Sequence, residues 1–323
     1  MVKMGIMGAG NIASTMAATI RELESVECYG VGARDYGRAE AFANRYGFRK
    51  AFGSYEELAK DPEVELIYIA TLHSCHYEHI KLCLENGKHV LCEKALTINE
   101  KQAAEVIAMA EEKGLLLAEA MWTRYMPMRK RLEDVLESGV IGKPYMLTAN
   151  LAYSVGGKER IIRPELGGGA LLDLGVYTLN FASMVFGDDV AEITGTAVKN
   201  DAGVDMQNSI TLTYKDGRMA VLNSSAMVVG DRQGAIFGDK GFIHIENINN
   251  YEEIRVYDLN RSLTAVYDRP EQISGYEYEV EACVYAIQRG QTQCSQMPHE
   301  ESLRMMRWMD ELRRQWGVVF PME

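Results

Sequence analysis

Positive charge is scarce in this chain. Lysine and arginine number 34 against 46 aspartates and glutamates, the formal charge is −12, and no strongly basic cluster interrupts that balance. Proteins that hold nucleic acid need a basic footprint, so no nucleic-acid partner is expected. Long apolar runs are also missing. None reaches the roughly 18–20 residues of a membrane span, and no membrane partner is expected. The opening "MVKMGIMGAG" runs straight into a glycine-rich turn, unlike a signal peptide. Cysteine is sparse: Cys28, Cys75, Cys83, Cys92, Cys283 and Cys294 form no C-x-x-C pair. Such scattered thiols argue against a disulfide framework and for free cysteines in a reducing cytoplasm. Internal repeats and low-complexity linkers are absent, so the chain is expected to hinge tightly near residue 120. What remains is an ordinary globular composition, 47% hydrophobic and 25% charged, in a chain long enough for two cores.

Strand and helix alternate through the first 120 residues. "VKMGIM" (2–7) reads as a buried strand, followed by a helix from about Ala13 to Glu22. "ECYGVGA", "ELIYIAT", "HVLCE" and "LLLAEA" are further strands, separated by the helices of "GRAEAFANRYG", "CHYEHIKLCLENG" and "NEKQAAEVIAMAEEKG". This pattern predicts an α/β Rossmann-type domain over 1–120, a doubly wound parallel sheet covered on both faces. Beyond Trp122 a helix, the strand "YMLTANLAYS" and a second helix near the glycines at 167–169 lead into short segments alternating with turns over 190–268. "KDGR" and "GDKG" have hairpin character. Residues 121–323 are therefore read as an α+β domain for substrate binding and dimerisation. Its sheet is mainly antiparallel and open, and two helices, near 276–290 and 300–316, close the chain.

"GAGNIA" (8–13) fits G-x-G-x-x-G/A between a strand and a helix. Gly8 allows the tight turn, and Gly10 lets backbone approach a pyrophosphate beside Asn11 and Ile12 at a helix N-terminus. The end of the second strand reads Ala33-Arg34-Asp35, with Arg38 one turn later. An arginine there accommodates the 2′-phosphate of NADP, whereas a carboxylate takes the ribose hydroxyls of NAD. Arg34 arrives first, so NADP is favoured. NAD stays possible if Arg34 stacks on adenine and Asp35 binds the ribose.

"HSCHYEH" (73–79) holds three of the six histidines. Zinc needs convergent ligands, but His73 precedes the helix on which His76 and His79 are neighbours, and no second ligand group follows. No metal site is expected. The cluster follows a strand end, where doubly wound folds place ligands, so His76 can face a nicotinamide crevice. His73 and His79 are expected to be bystanders. Lys94 in "CEKAL" ends another strand, where it is either a proton donor or acceptor for a carbinol or an ordinary surface lysine. In "GGGALLDLGVY" (167–177) Asp173 and Tyr177 share one helical face at i, i+4. A phenol can serve as acid for a secondary alcohol if a cation stabilises its anion. Otherwise the segment is a glycine-capped packing helix. Arg160 and Arg163 fall in a loop and can bind a polar or anionic substrate, but a solvated setting is the default for both.

"GAGNIA", "HVLCEKAL" and "GGGALLDLGVY", in this order and spacing, resemble the Gfo/Idh/MocA family of NAD(P)-dependent oxidoreductases along essentially the whole chain. "EAMWTRYMP" (119–127) and the glycine-rich helix are most similar to the dimeric dihydrodiol dehydrogenases within it. The resemblance implies that Lys94 is the active-site lysine, paired with Tyr177, and that Asp173 orients substrate. It implies that Thr71, Leu72, His76, Glu93, Trp122 and Arg124 shape the cofactor pocket, and that the second domain's sheet pairs across a homodimer. Two departures stand out: Ala95 and Leu72 occupy positions where the family usually has proline, which would fix φ in both turns.

Together these readings describe an NAD(P)-dependent oxidoreductase acting on a CH–OH group of a diol, sugar or cyclic polyol. An NAD-dependent inositol-type or sugar dehydrogenase is the nearer alternative. A non-catalytic NADP-binding regulator is the alternative of another class, and the joint presence of Lys94, Asp173 and Tyr177 argues against it.

Overall fold

Val2–Met7 (β1) is buried at every position except Lys3, as expected of a strand covered on both faces. The computed structural model describes all 323 residues. After β1 come α1 (Asn11–Ile20), β2 (Val26–Gly32), α2 (Tyr36–Tyr46), β3 (Lys50–Phe52), α3 (Tyr55–Lys60), β4 (Leu66–Ile69), α4 (His73–Glu85), β5 (His89–Glu93), α5 (Glu100–Lys113) and β6 (Leu117–Ala120). The sheet order is β3-β2-β1-β4-β5-β6, and every pair is parallel. The order reverses beside β1, so a crevice opens at the carboxyl ends of β1 and β4. The sequence reading lacks β3 and α3. β3 has only three residues, none of them buried, too few to show a strand pattern. Ser54 begins α3 by accepting from the Glu57 amide at 3.1 Å.

The chain then forms α6 (Pro127–Glu137), β7 (Pro144–Ala152), α7 (Glu159–Ile162) and a π-helical turn, Leu171–Gly175, that runs directly into α8 (Val176–Phe186). Seven strands follow: β8 (Val190–Lys199), β9 (Asp205–Tyr214), β10 (Met219–Ser225), β11 (Gly234–Gly238), β12 (Gly241–Glu246), β13 (Glu253–Asp258) and β14 (Leu263–Asp268). With β7 they make one eight-stranded sheet, ordered β14-β13-β12-β11-β7-β10-β9-β8. It is antiparallel throughout except where β7 and β10 run parallel. The last helices are α9 (Glu277–Gln288) and α10 (His299–Trp316). Pro164–Phe186 is apolar enough by length and composition to cross a membrane, but it is almost wholly buried among the protein's own side chains, as a core helix is. Gly234 makes room for it: a Cβ there would lie 2.8 Å from the Phe181 ring.

Two compact units result. One comprises Met1–Tyr125 and Gln272–Met306, the other Met126–Glu271 and Arg307–Glu323. Residues 272–306, which the sequence reading assigns to the second domain, thus group with the first. They supply α9 and cover the outer edge of β6, where the Leu117 amide donates to the Thr292 carbonyl at 3.0 Å and His299 Nε2 donates to the Leu117 carbonyl at 3.0 Å. All six cysteines are free thiols.

Candidate active site

Gly8 turns the chain out of β1 with φ +110°, a conformation that glycine alone adopts without penalty. A Cβ there would lie 2.9 Å from the Ala70 carbonyl oxygen beyond β4, so the turn also depends on close backbone approach. Gly10 differs. It is exposed, caps α1 without a side-chain hydrogen bond, and a Cβ added to it would meet nothing within 4 Å. The first turn of α1, which begins with Asn11 and Ile12, carries no acidic residue. Orphan amides at the positive end of a helix dipole, beside open space, suit a pyrophosphate.

Arg34, Asp35 and Arg38 are all exposed at the end of β2, but their tasks differ. Asp35 Oδ1 accepts from the Arg38 amide at 2.8 Å and so caps α2. Arg38 Nη2 reaches back to the Ala9 carbonyl at 3.5 Å, onto the glycine-rich turn. Burial raises the Tyr55 phenol, and the charges of Arg34 and Arg38 beside it oppose that rise. Two guanidinium groups therefore stand near the turn, while the neighbouring carboxylate serves a helix.

The histidine cluster has an architectural purpose. His76 is wholly buried. Its Nδ1 lies 2.9 Å from the Ala95 carbonyl and its Nε2 lies 3.3 Å from the Thr71 carbonyl. A carbonyl only accepts, so the ring proton belongs on Nδ1, at the shorter contact. Burial, with His73 alongside, pushes its pKa down to about 3 and keeps the ring neutral. With no exposed edge, His76 is placed to act through the turns it joins, which is not the exposed crevice wall the sequence suggested.

His73 is not a bystander, because its Nε2 donates to the Lys94 carbonyl at 3.1 Å. His79 instead meets Thr71 Oγ1 through Nδ1 at 2.9 Å and packs edge-on against Tyr55. The three rings bond to backbone carbonyls and to Thr71 rather than converging on one point, and no group of three metal-ligating side chains assembles anywhere in the chain.

Lys94 follows directly from β5. The Lys94–Ala95 peptide bond is cis, at the position where the resemblance leads one to expect proline. The turn is held from the far side too, where the Leu96 amide donates to Glu119 Oε1 at 3.1 Å and Ser302 Oγ donates to Oε2 at 2.6 Å. Glu93 is buried and accepts from the Tyr68 hydroxyl. Thr71 and Leu72 are half-buried where the chain enters α4. Trp122 and Arg124 lie buried in a short 3₁₀ turn. Trp122 stacks on Tyr276 with centroids 4.3 Å apart, and Arg124 pairs with Glu301 at 2.7 Å.

In the second unit Asp173 is buried and Tyr177 half-buried. They lie across the junction of the π-helical turn and α8. The i, i+4 argument assumed α geometry; the wider turn changes the rotation at which Asp173 projects. Arg160 was missed. Its Nη1 donates to Asp173 Oδ1 at 2.7 Å, which ties α7 to the helical segment after the glycines, whereas Arg163 pairs only with neighbouring glutamates. A cation just ahead of a glycine run that leads to a buried aspartate was the available signal.

The chain matches two family models. One is the Gfo/Idh/MocA oxidoreductase family with an NAD-binding Rossmann fold, over residues 2–121, and the other is the Gfo/Idh/MocA C-terminal domain, over residues 130–244. It is 34% identical to the trans-1,2-dihydrobenzene-1,2-diol dehydrogenase of Xenopus tropicalis over 99% of each chain. To that of Homo sapiens it is 32% identical, over 100% of this chain and 99% of the human one. A 3-ketoreductase from Actinomadura kijaniata, solved with NADP and TDP-benzene, superposes with TM-score 0.88 at 26% identity and 97% coverage of each chain. An aldose-aldose oxidoreductase from Caulobacter crescentus, complexed with glycerol, has the same fold at TM-score 0.88, with 19% identity over 98% of this chain and 97% of that one.

The buried imidazole makes an acid-sensitivity prediction. The His76 pKa is about 3 when folded against roughly 6.5 when unfolded. The unfolded chain therefore takes up the extra proton first, and stability present above pH 6.5 falls as pH drops through that window. Between pH 6 and 5, His76→Asn should flatten the stability–pH curve by about 1.4 kcal/mol per pH unit, one proton's worth. Urea denaturation at stepped pH checks this, and parallel curves would contradict it.

Proposed function

The chain belongs to the Gfo/Idh/MocA family of oxidoreductases, and from that premise we propose that it interconverts a secondary alcohol and its carbonyl on a vicinal diol, sugar or cyclic polyol, with NADP preferred over NAD. The observation that carries this reading is the open space beside Gly10 at an uncapped helix N-terminus, next to two exposed arginines. When bound, the dinucleotide supplies the hydride acceptor or donor. Gly8, Gly10, Asn11 and Ile12 would hold its pyrophosphate, and Arg34 and Arg38 a 2′-phosphate, for which the capping duty of Asp35 leaves them free of a competing ribose contact. Thr71, Leu72, Glu93 and Trp122 would line its path. The relatives named as diol dehydrogenases and the NADP-bound 3-ketoreductase support a hydroxylated small molecule as substrate.

Lys94 and Tyr177 form the proton-handling pair in this reading. An ordinary phenol, with a pKa near ~10, takes a hydroxyl proton at neutral pH only if its anion is stabilised by a cation. Lys94 is that cation in this reading. In oxidation the pair accepts the proton of the substrate hydroxyl, and in reduction it returns one to the new alkoxide. Asp173 orients the substrate hydroxyls, with Arg160 holding its carboxylate. In the Actinomadura kijaniata enzyme a lysine and a tyrosine have each been replaced in solved structures. Their separation along the chain is within one residue of that between Lys94 and Tyr177, which supports the pairing.

The eight-stranded sheet is the basis for a proposed homodimer. α8 packs on one face through β7 and β10. The register of β7, β8, β9 and β10 puts Met146 beside Met219 on the other face, with Val198 on that same face at the opposite end of the strands, and all three are exposed. Such a face is commonly covered by a second copy. Sedimentation of the purified chain should give a dimer, and Val198→Lys with Met219→Lys should shift it to monomer.

Lys94→Ala should lower turnover of a panel of diols and dicarbonyls by on the order of 10²–10⁴-fold while leaving NADPH affinity within about threefold by fluorescence titration. Near-normal turnover would sink the mechanism. Loss of one charge-assisted phosphate contact predicts that Arg34→Ala weakens NADP binding by roughly 10–100-fold and leaves NAD binding unchanged. Equal weakening of both would refute the NADP preference.

A further inference from the structure

The π-helical turn that carries Asp173 begins without a cap of its own. Ala170 precedes it and offers no side-chain acceptor, so the first amides of the segment 171–186 need partners from elsewhere. One comes from the sheet. Asp205, the first residue of β9 and almost wholly buried, accepts from the Leu171 amide through Oδ2 at 2.8 Å. Close approach is permitted by Gly169, which has φ +112° and whose Cβ, if present, would lie 2.4 Å from Asp205 Oδ1. The same Oδ2 accepts from Asn208 Nδ2 at 2.9 Å, and Asn208 Oδ1 accepts from Ser224 Oγ at 2.9 Å. Ser224 Oγ then stands 3.3 Å from where a Cβ on Gly175 would be, at the far end of the π turn. One buried polar chain from β9 and β10 therefore bonds the first amide of Leu171–Gly175 and lies beside its last residue, with Asp173 between them.

We propose that Asp205 is a positioning residue of the reaction: its carboxylate caps the segment 171–186 from the sheet and sets the rotation at which that segment presents Asp173 and Tyr177. The inference rests on the assignment of Tyr177 made above. A π turn is rarely stable unaided and recurs at functional sites, and an anion at a helix N-terminus is favourable. Burial pushes the Asp205 pKa up to about 6. The groups facing it are the Leu171 amide, Asn208 of β9 and, by charge alone, Arg313 of α10, all of which oppose that rise. Near neutral pH the carboxylate is ionised, and below about 6 it takes a proton and the cap weakens. The sign for stability runs the other way. The folded pKa lies above the unfolded value of roughly 3.9, so the fold gains from protonation and is less stable once Asp205 is ionised above pH 6.

Amide hydrogen exchange and turnover test the proposal together, using the full chain, with NADP and trans-cyclohexane-1,2-diol as the assay pair. Asp205→Ala should raise exchange of the 171–177 amides by at least about tenfold and lower kcat by a similar factor, with NADP affinity within about twofold. Asp205→Asn keeps an acceptor but no charge. It should lose only part of kcat, melt no lower than wild type above pH 6, and lack the acid limb near pH 6 in its kcat profile. Unchanged exchange in Asp205→Ala, or an unaltered acid limb in Asp205→Asn, overturns the proposal; if Asp205→Ala does not fold, the Asp205→Asn profile decides. Tyr177→Phe is the control for the underlying reading. Wild-type turnover in that variant would overturn the role of Tyr177 whatever the exchange data show.

Discussion

A neutral imidazole with no exposed surface ties together the two turns on which the first unit's chemistry depends. His76 reaches the Ala95 carbonyl after β5 and lies against the Thr71 carbonyl after β4, and His73 repeats the contact one residue back, at Lys94. Buried polar groups are tolerable only when they find partners, and satisfied networks of this kind make a backbone rigid. Lys94 therefore projects from main chain clamped by histidines on one side and by Glu119 on the other. The clamp acts through carbonyls and amides, so the turn can keep its shape with alanine at position 95.

The second unit meets the same need with the opposite electrostatic device. In place of an aromatic ring driven to neutrality, it buries a carboxylate that stays ionised near neutral pH and points it at a helix N-terminus. Both devices act on backbone at one remove from the residues assigned to chemistry. Arg160 adds a third support, reaching Asp173 from α7 ahead of the glycines. Lys94, Asp173 and Tyr177 are thus each set by neighbours that touch main chain or carboxylate.

Much of this was legible in the sequence. The strand–helix alternation of the first 120 residues produces a parallel sheet whose strands are mostly apolar, and the turns "KDGR" and "GDKG" join the antiparallel neighbours β9–β10 and β11–β12. The glycine-rich turn was legible for the same local reason. The rest depends on contacts distant in sequence. The helix-capping duty of Asp35 is an exception, because a capping-type residue three before Arg38 is a local signal. The π turn at Leu171–Gly175 has an ordinary helical pattern, and the sheet that sustains it comes some 30 residues later. His73 looked idle because its partner is a carbonyl, which no side-chain pattern records.

The grouping of residues 272–306 with the first unit has a consequence for the order in which the protein can be made. Its outermost parallel strand, β6, is complete by residue 120, yet Thr292 and His299, which cover its edge, follow more than 170 residues later. An uncovered parallel edge is a template for pairing with other chains, and synthesis adds about 5–20 residues per second. For several seconds to half a minute, each nascent chain therefore carries an unprotected strand. It must wait for the whole second sheet to emerge before its own C-terminal segment returns to cover it.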